Sequence, residues 1–136
     1  MHATQSESTP MKTLAAVMFA LTLSAPVAAQ EVIGGYAAYI GRNDLYNSNG
    51  TRLTEAWQVL RQDRANYHRF GIRQTGDEGD PYFSDANNRA ALEQMLMRGT
   101  VHPVARRRIL EGGASVYVTI YGRGGRGTHV DVDVFD

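Results

Sequence analysis

The sequence predicts a small α+β domain: an N-terminal strand and a C-terminal antiparallel hairpin form one sheet, and three helices between them pack on one face of it. Three observations carry that expectation. Residues 115–121 (SVYVTIY) and 128–135 (THVDVDVF) alternate between apolar and polar on either side of a glycine-rich turn, the period of a half-buried strand pair. Residues 51–73 (TRLTEAWQVLRQDRANYHRFGIR) place apolar side chains at helical spacing. Residues 31–40 (EVIGGYAAYI) mix β-branched and aromatic side chains. Strands at the two ends with helices between them make an α+β order, not the alternation of a parallel α/β domain.

Residues 1–29 read as an N-terminal extension and a cleavable signal peptide. The first ten residues, MHATQSESTP, are polar, and Met11 is the expected start. Lys12 supplies a positive n-region, Leu14 to Leu23 an apolar stretch, Pro26 a break, and Val27-Ala28-Ala29 a small-residue cleavage site. The exported domain is then residues 30–136, beginning at Gln30, in the periplasm or outside the cell. The apolar stretch is too short for a hydrocarbon layer of about 30 Å, so no stable membrane anchor is expected after cleavage.

Glu31 to Ile40 is the first strand, with a bulge expected at Gly34-Gly35. Asn49-Gly50, between Leu45-Tyr46 and Leu53, signals a tight turn and a short hairpin before the first helix. The same residues with Thr51 match the N-glycosylation pattern, and the turn is the reading adopted.

The organising helix is expected over residues 55–70. Thr54 can cap it, Glu55 suits the positive end of its dipole, and Gly71 can close it in a left-handed conformation, with Ile72 set to touch Tyr67. A helical wheel centred on Leu60 gathers Leu53, Ala56, Trp57, Val59, Tyr67 and Phe70 inward, and places Asn66 outward. The inner arc also takes in Asp63, Arg64 and His68. Arg64 lies on the seam, where an unpaired guanidinium would be strongly destabilising, so a carboxylate should meet it. Neighbouring helical residues face each other poorly, which favours the acidic loop or the C-terminal strands over Asp63 as the source.

Residues 74–85 (QTGDEGDPYFSD) form that loop. Asp77, Glu78, Asp80 and Asp85 are the candidate metal ligands, because calcium takes several oxygen donors, although the spacing of an EF-hand is absent. A solvated acidic loop that partners an arginine and caps the next helix through Ser84 or Asp85 is the plainer account. A second helix is expected from about Ala86 to Arg98, with Ala90, Ala91, Leu92, Met95 and Leu96 inward. A third begins at Pro103, with His102 as a cap or surface residue, and ends at Gly112-Gly113. Its Arg106-Arg107-Arg108 run reads as a solvated face.

In the hairpin, Val116, Val118 and Ile120 share the core face with Val130, Val132 and Val134. Tyr117, Thr119, Tyr121, His129, Asp131 and Asp133 take the other face. The turn GRGGRG joins strand to strand, so it lacks the helix N-terminus that a nucleotide phosphate loop uses.

With 136 residues, 43% of them hydrophobic, the chain suits one core. Its formal charge is zero, which leaves no global field to draw nucleic acid, and none is expected as a partner. Cysteine is absent, excluding disulfides, thiol nucleophiles and thiolate metal sites. Lys12 is the only lysine, so every fixed cation of the exported domain is an arginine.

Three functions remain. The favoured one is a non-enzymatic exported module for a protein or cell-envelope component, with Tyr117, Tyr121, Arg123, Arg126, Asp131 and Asp133 as ligand-binding candidates. The second is a small hydrolase or lyase using His68 with Asp63 and Tyr67, and Arg64 as oxyanion donor. The third is a calcium-stabilised structural or inhibitory domain built on the acidic loop; no other cofactor is expected.

Overall fold

The computed structural model describes residues 29–136 without a break and, before them, residues 2–6, 8–10, 12, 15, 17, 18 and 20–25. Met11, Leu14, Pro26, Val27 and Ala28, which carry much of the export reading, lie outside the described residues. Among the described residues no helix is long and apolar enough to cross a membrane.

Among the described residues, three antiparallel strands in the order β1 (Glu31–Ile40), β2 (Ala114–Arg123), β3 (Arg126–Phe135) form the single sheet. A short 3-10 turn (Arg42–Asp44) and four α-helices lie between β1 and β2: α1 (Ala56–Ala65), which runs on into a π-helical turn over Asn66–Phe70, then α2 (Ala86–Ala90), α3 (Leu92–Arg98) and α4 (Pro103–Glu111). The core joins Tyr36, Ala38 and Ile40 of β1 and the expected valine face of the hairpin to Val59 and Leu60 of α1, Leu92, Met95 and Leu96 of α3, and Ile109 of α4. Val134, also expected inside, is only half-buried.

The hairpin turns at Gly124-Gly125, both at positive φ (56° and 77°), as a tight two-residue connection requires. Its register pairs Tyr117 with Asp133, Thr119 with Asp131 and Tyr121 with His129. The β1 bulge falls one step before the expected glycines, between Val32 and Gly34, because Ile33 is the extra residue. The small Asn49-Gly50 turn forms as expected, with Gly50 at φ 77° and Tyr46 bridged to Arg52.

Several local expectations need correction. The residue before α1 is Glu55, not Thr54, and the side-chain carbonyl of Gln58 accepts from the N–H groups of both. The expected second helix is two, broken at Ala91, and Ala90 and Ala91 are exposed. Arg89, buried, donates back to the Phe83 and Ser84 carbonyls and ties α2 to the preceding loop. The third helix begins at Pro103 as expected, and His102 Nδ1 accepts from Val104 N–H.

The largest departure lies at the end of α1. Wider π-helical winding advances each residue by less than the 100° of an α-helix, so the face shifts over the final turn. Asn66 therefore turns inward and Phe70 outward, where it is 45% exposed, reversing both expectations. Gly71 closes the turn at φ 67°, as expected. In addition, α3 rather than α1 lies most closely on the hairpin, while α1 packs on β1 and gathers α2, α3 and α4 around itself.

Both outer edges of the sheet are covered in part. Along β1, Ala37 N–H donates to Glu78 Oε1 (2.8 Å), Ala37 O accepts from Glu78 N–H (2.8 Å), and Tyr39 N–H donates to Asp77 Oδ1 (2.9 Å). Along β3, Val132 N–H donates to Thr100 O (3.0 Å) and Thr100 N–H to Asp131 Oδ1 (2.8 Å). Unpaired edge groups invite edge-to-edge association, and these contacts block it along those stretches.

Candidate functional site

The expected carboxylate partner of Arg64 is Asp80, in the acidic loop. Arg64 is fully buried, and its Nη1 donates to Asp80 Oδ1 and to the Glu78 carbonyl, each at 2.9 Å. Contrary to expectation, Asp63 also meets it: Arg64 Nε–H donates to Asp63 Oδ2 at 2.7 Å. A long arginine side chain can fold back to a carboxylate that a helical wheel places only beside it. The guanidinium lies over the Tyr36 ring at 3.8 Å and faces Tyr67 at 4.9 Å, with Arg73 at 4.1 Å on Tyr67 as well. Asp80 is further held by Phe83 N–H (2.6 Å) and by His68 Nε2 (3.1 Å).

A second buried carboxylate, Asp44, adjoins this network and escaped the sequence reading. It accepts from Gly41 N–H, Asn66 Nδ2 and Gln74 Nε2. Nothing in the spacing of Asp44, Asn66 and Gln74 marks them as partners; the inward turn of Asn66 brings them together.

Burial sets the charge states. It pushes the Asp63 carboxyl up to about 7, outweighing the pull of Arg64. It also raises Asp44, against the hydrogen bonds from Asn66 and Gly41. Burial opposes the Arg64 charge, but the neighbouring acidic groups, Tyr36 and Asp63, and the hydrogen bonds to Asp63 and Asp80 outweigh it and raise its pKa. The Tyr36 hydroxyl is raised well above its usual value by burial.

As a catalytic arrangement, the cluster offers a substrate little. Asp63 and Arg64 are sealed from solvent, which places the proposed oxyanion donor out of reach, and His68, its side chain 12% exposed, lies at the rim with the half-buried Tyr67. Tyr67 stacks edge-on against His68, with ring centres 5.0 Å apart. As a structural arrangement the cluster is dense, with two atoms left over: Tyr36 Oη and Arg64 Nη2 have no hydrogen-bond partner. An unsatisfied buried hydroxyl is destabilising by about 1–3 kcal/mol, whereas the Tyr36 ring is what supports Arg64. Tyr36→Phe is therefore expected to leave stability unchanged or raise it by about 1 kcal/mol in urea denaturation, and a clear loss would mean that the hydroxyl is paired.

The acidic side chains weighed as metal ligands are spread out. Asp77 and Glu78 hold the edge of β1, Asp80 holds Arg64, and Asp85 caps α2 by accepting from Asn87 N–H. Among the described residues no three acidic or histidine side chains converge as a metal site.

The outer sheet face holds four of the six ligand-binding candidates together. Tyr117, Tyr121, Asp131 and Asp133 share it with Tyr39, His129 and Phe135. Tyr39, Tyr117 and Phe135 are 36%, 43% and 45% exposed, and Asp133, opposite Tyr117, is exposed too. Tyr117 leans over Gly35, where an added Cβ would come within 2.8 Å of its hydroxyl. Tyr121 and His129 stack with centres 4.7 Å apart and planes 7° from parallel. Asp131 is turned to the sheet edge by Thr100, and Arg123 and Arg126 flank the exposed hairpin tip.

Comparison of the chain with protein-family models, with curated proteins and with solved structures finds no match.

Proposed function

We propose that the chain is an exported, non-catalytic binding module that recognises a polypeptide of the envelope or of the secreted fraction through its outer sheet face. The observation that carries this reading is the one-sided packing: helices cover the valine face, and Tyr39, Tyr117 and Phe135 stand exposed on the other. Tyrosine and phenylalanine give large contact area with few rotatable bonds, and such side chains are enriched at interfaces. The free carboxylate of Asp133 among these rings calls for a basic side chain, so the fitting partner is a polypeptide with arginine or lysine beside apolar residues. Export is supported by Val17, Met18, Leu21 and Leu23, which are exposed while the core closes without them.

Selection of displayed random peptides on the purified protein tests this reading. Sequences joining basic and apolar residues are expected to be enriched, and the double variant Tyr117→Ala, Asp133→Arg is expected to lose them. Equal selection by the variant, or no enrichment at all, would remove the proposal. The competing enzyme reading, His68 with Asp63 and Tyr67, keeps Tyr67 beside His68 and gains Asp80 at 3.1 Å while Asp63 is buried, and any turnover that survives His68→Ala would exclude it.

A further inference from the structure

A groove lies on the opposite side of α1 from the core. Two adjoining hollows of about 340 and 310 Å³ run between the outer face of α1 and the loop that carries the Asn49-Gly50 turn, sharing Asn47, Ser48, Gln62 and Phe70 as common wall. Phe70 is there because the π-helical turn swings it out of the core. Tyr46 lies in one hollow and Trp57 in the other, so three aromatic rings are spread along the groove.

The groove is charged in one sense. Arg42, Arg61 and Arg69 line it, all exposed, and none of its lining residues is acidic. Among the described residues none of the three has a carboxylate partner, in contrast to Arg64 and Arg108. Arg42 and Arg52 both stand over the Tyr46 ring, at 5.8 and 5.3 Å, and Arg69 over Phe70 at 5.0 Å, while Arg61 has no ring beneath it among the described residues. Hydrogen-bonding capacity is also left open. Gln58 spends its carbonyl on Thr54 and Glu55, and Asn47 spends its carbonyl on Asn49 and Thr51, which leaves both NH₂ groups free. Gln62 donates to Asn66 and keeps its carbonyl free.

We infer that this groove binds an acidic oligosaccharide, its carboxylates held by Arg42, Arg61 and Arg69 and its ring faces resting on Trp57 and Phe70. Guanidinium groups match carboxylates in two-point contact. Aromatic rings take the C–H faces of sugar rings by dispersion, and side-chain amides exchange hydrogen bonds with vicinal hydroxyls. The two hollows side by side suit a ligand of at least two sugar units. A single-stranded nucleic acid would also use aromatic rings and arginines. It draws most of its affinity, however, from a long run of phosphate contacts, which three guanidiniums on a chain of zero net charge do not supply. This site is distinct from the sheet face, and neither proposal depends on the other.

The test is titration calorimetry of the whole protein with a galacturonic acid tetrasaccharide, with its methyl ester, with a muramic acid-containing cell-wall fragment, and with an oligothymidylate of similar charge. At least one of the two acidic glycans is expected to bind. Arg61→Ala with Arg69→Ala is expected to weaken that binding at least tenfold, and Phe70→Ala to weaken it comparably. Where the tetrasaccharide is the glycan that binds, its ester should be at least tenfold weaker. All three side chains are exposed, so these variants should fold, and an unchanged melting temperature checks that. Failure of both acidic glycans to bind would overturn the inference, as would binding indifferent to the arginine variant, or oligothymidylate binding more tightly than either glycan.

Discussion

Arg64→Ala is expected to lower the unfolding free energy by about 3–5 kcal/mol, a large share of the stability of a domain this size. The side chain is fully buried, so its removal does three things at once. It leaves Asp63 and Asp80 without their cation and the Glu78 carbonyl without a donor. It also removes the guanidinium stacked 3.8 Å over Tyr36 and opens a cavity beneath α1. Had Arg64 snorkelled to the helix edge, the loss would be well under 1 kcal/mol.

Urea denaturation measures the loss, and Arg64→Met separates its causes. Methionine fills much of the volume but donates nothing. A loss near that of the alanine variant would assign the effect to orphaned carboxylates, and a much smaller one would assign it to packing. If Arg64→Ala loses less than 1 kcal/mol, the network is not what holds the acidic loop against α1.

How much of this was legible in the sequence follows from how local each feature is. The hairpin, its inward valines apart from the half-buried Val134, the cap at Gly71 and the helix start at Pro103 depend on a two-residue period or on the chemistry of one residue, and these are found as expected. The need for a carboxylate at Arg64 was legible from its place on the apolar arc, and the acidic loop was the right source. That Asp63 would share Arg64 with it was not, because a wheel projects Cβ directions and ignores how far a long side chain can bend.

Phe70 and Asn66 were misplaced for one reason: a constant 100° step assumes an α-helix to the end, and the π-helical turn breaks that phase. Asp44 was invisible because its donors come from residues 41, 66 and 74, which only the tertiary fold assembles. The arginine groove was hidden in the same way, since its walls come from the segment around Tyr46, from α1 and from the π-helical turn. The open aromatic sheet face could be read because a strand's alternation states its two faces directly.

Stability is expected to fall as pH rises from about 5 to about 8, the reverse of what an ordinary salt-bridged carboxylate produces. Burial lifts Asp63 from 3.8 to about 7 in the folded chain. Between those values the folded state holds a proton that the unfolded state has released, so raising the pH favours unfolding. The contribution is fully present below about pH 4 and is lost as pH rises through about 7; Asp44, also raised by burial, acts in the same direction. One pKa unit corresponds to about 1.4 kcal/mol, which makes roughly 4 kcal/mol the ceiling for Asp63 over its whole range, and the part that falls between pH 5 and the folded value near 7 is about 2–3 kcal/mol. Urea titrations at pH 5, 6.5 and 8 check the slope, and Asp63→Asn, which stays neutral throughout, should flatten most of it. An unchanged slope in the asparagine variant would transfer the effect to Asp44. A wild-type stability that instead climbs with pH would mean that Arg64 holds Asp63 ionised and that pairing, not burial, governs this cluster.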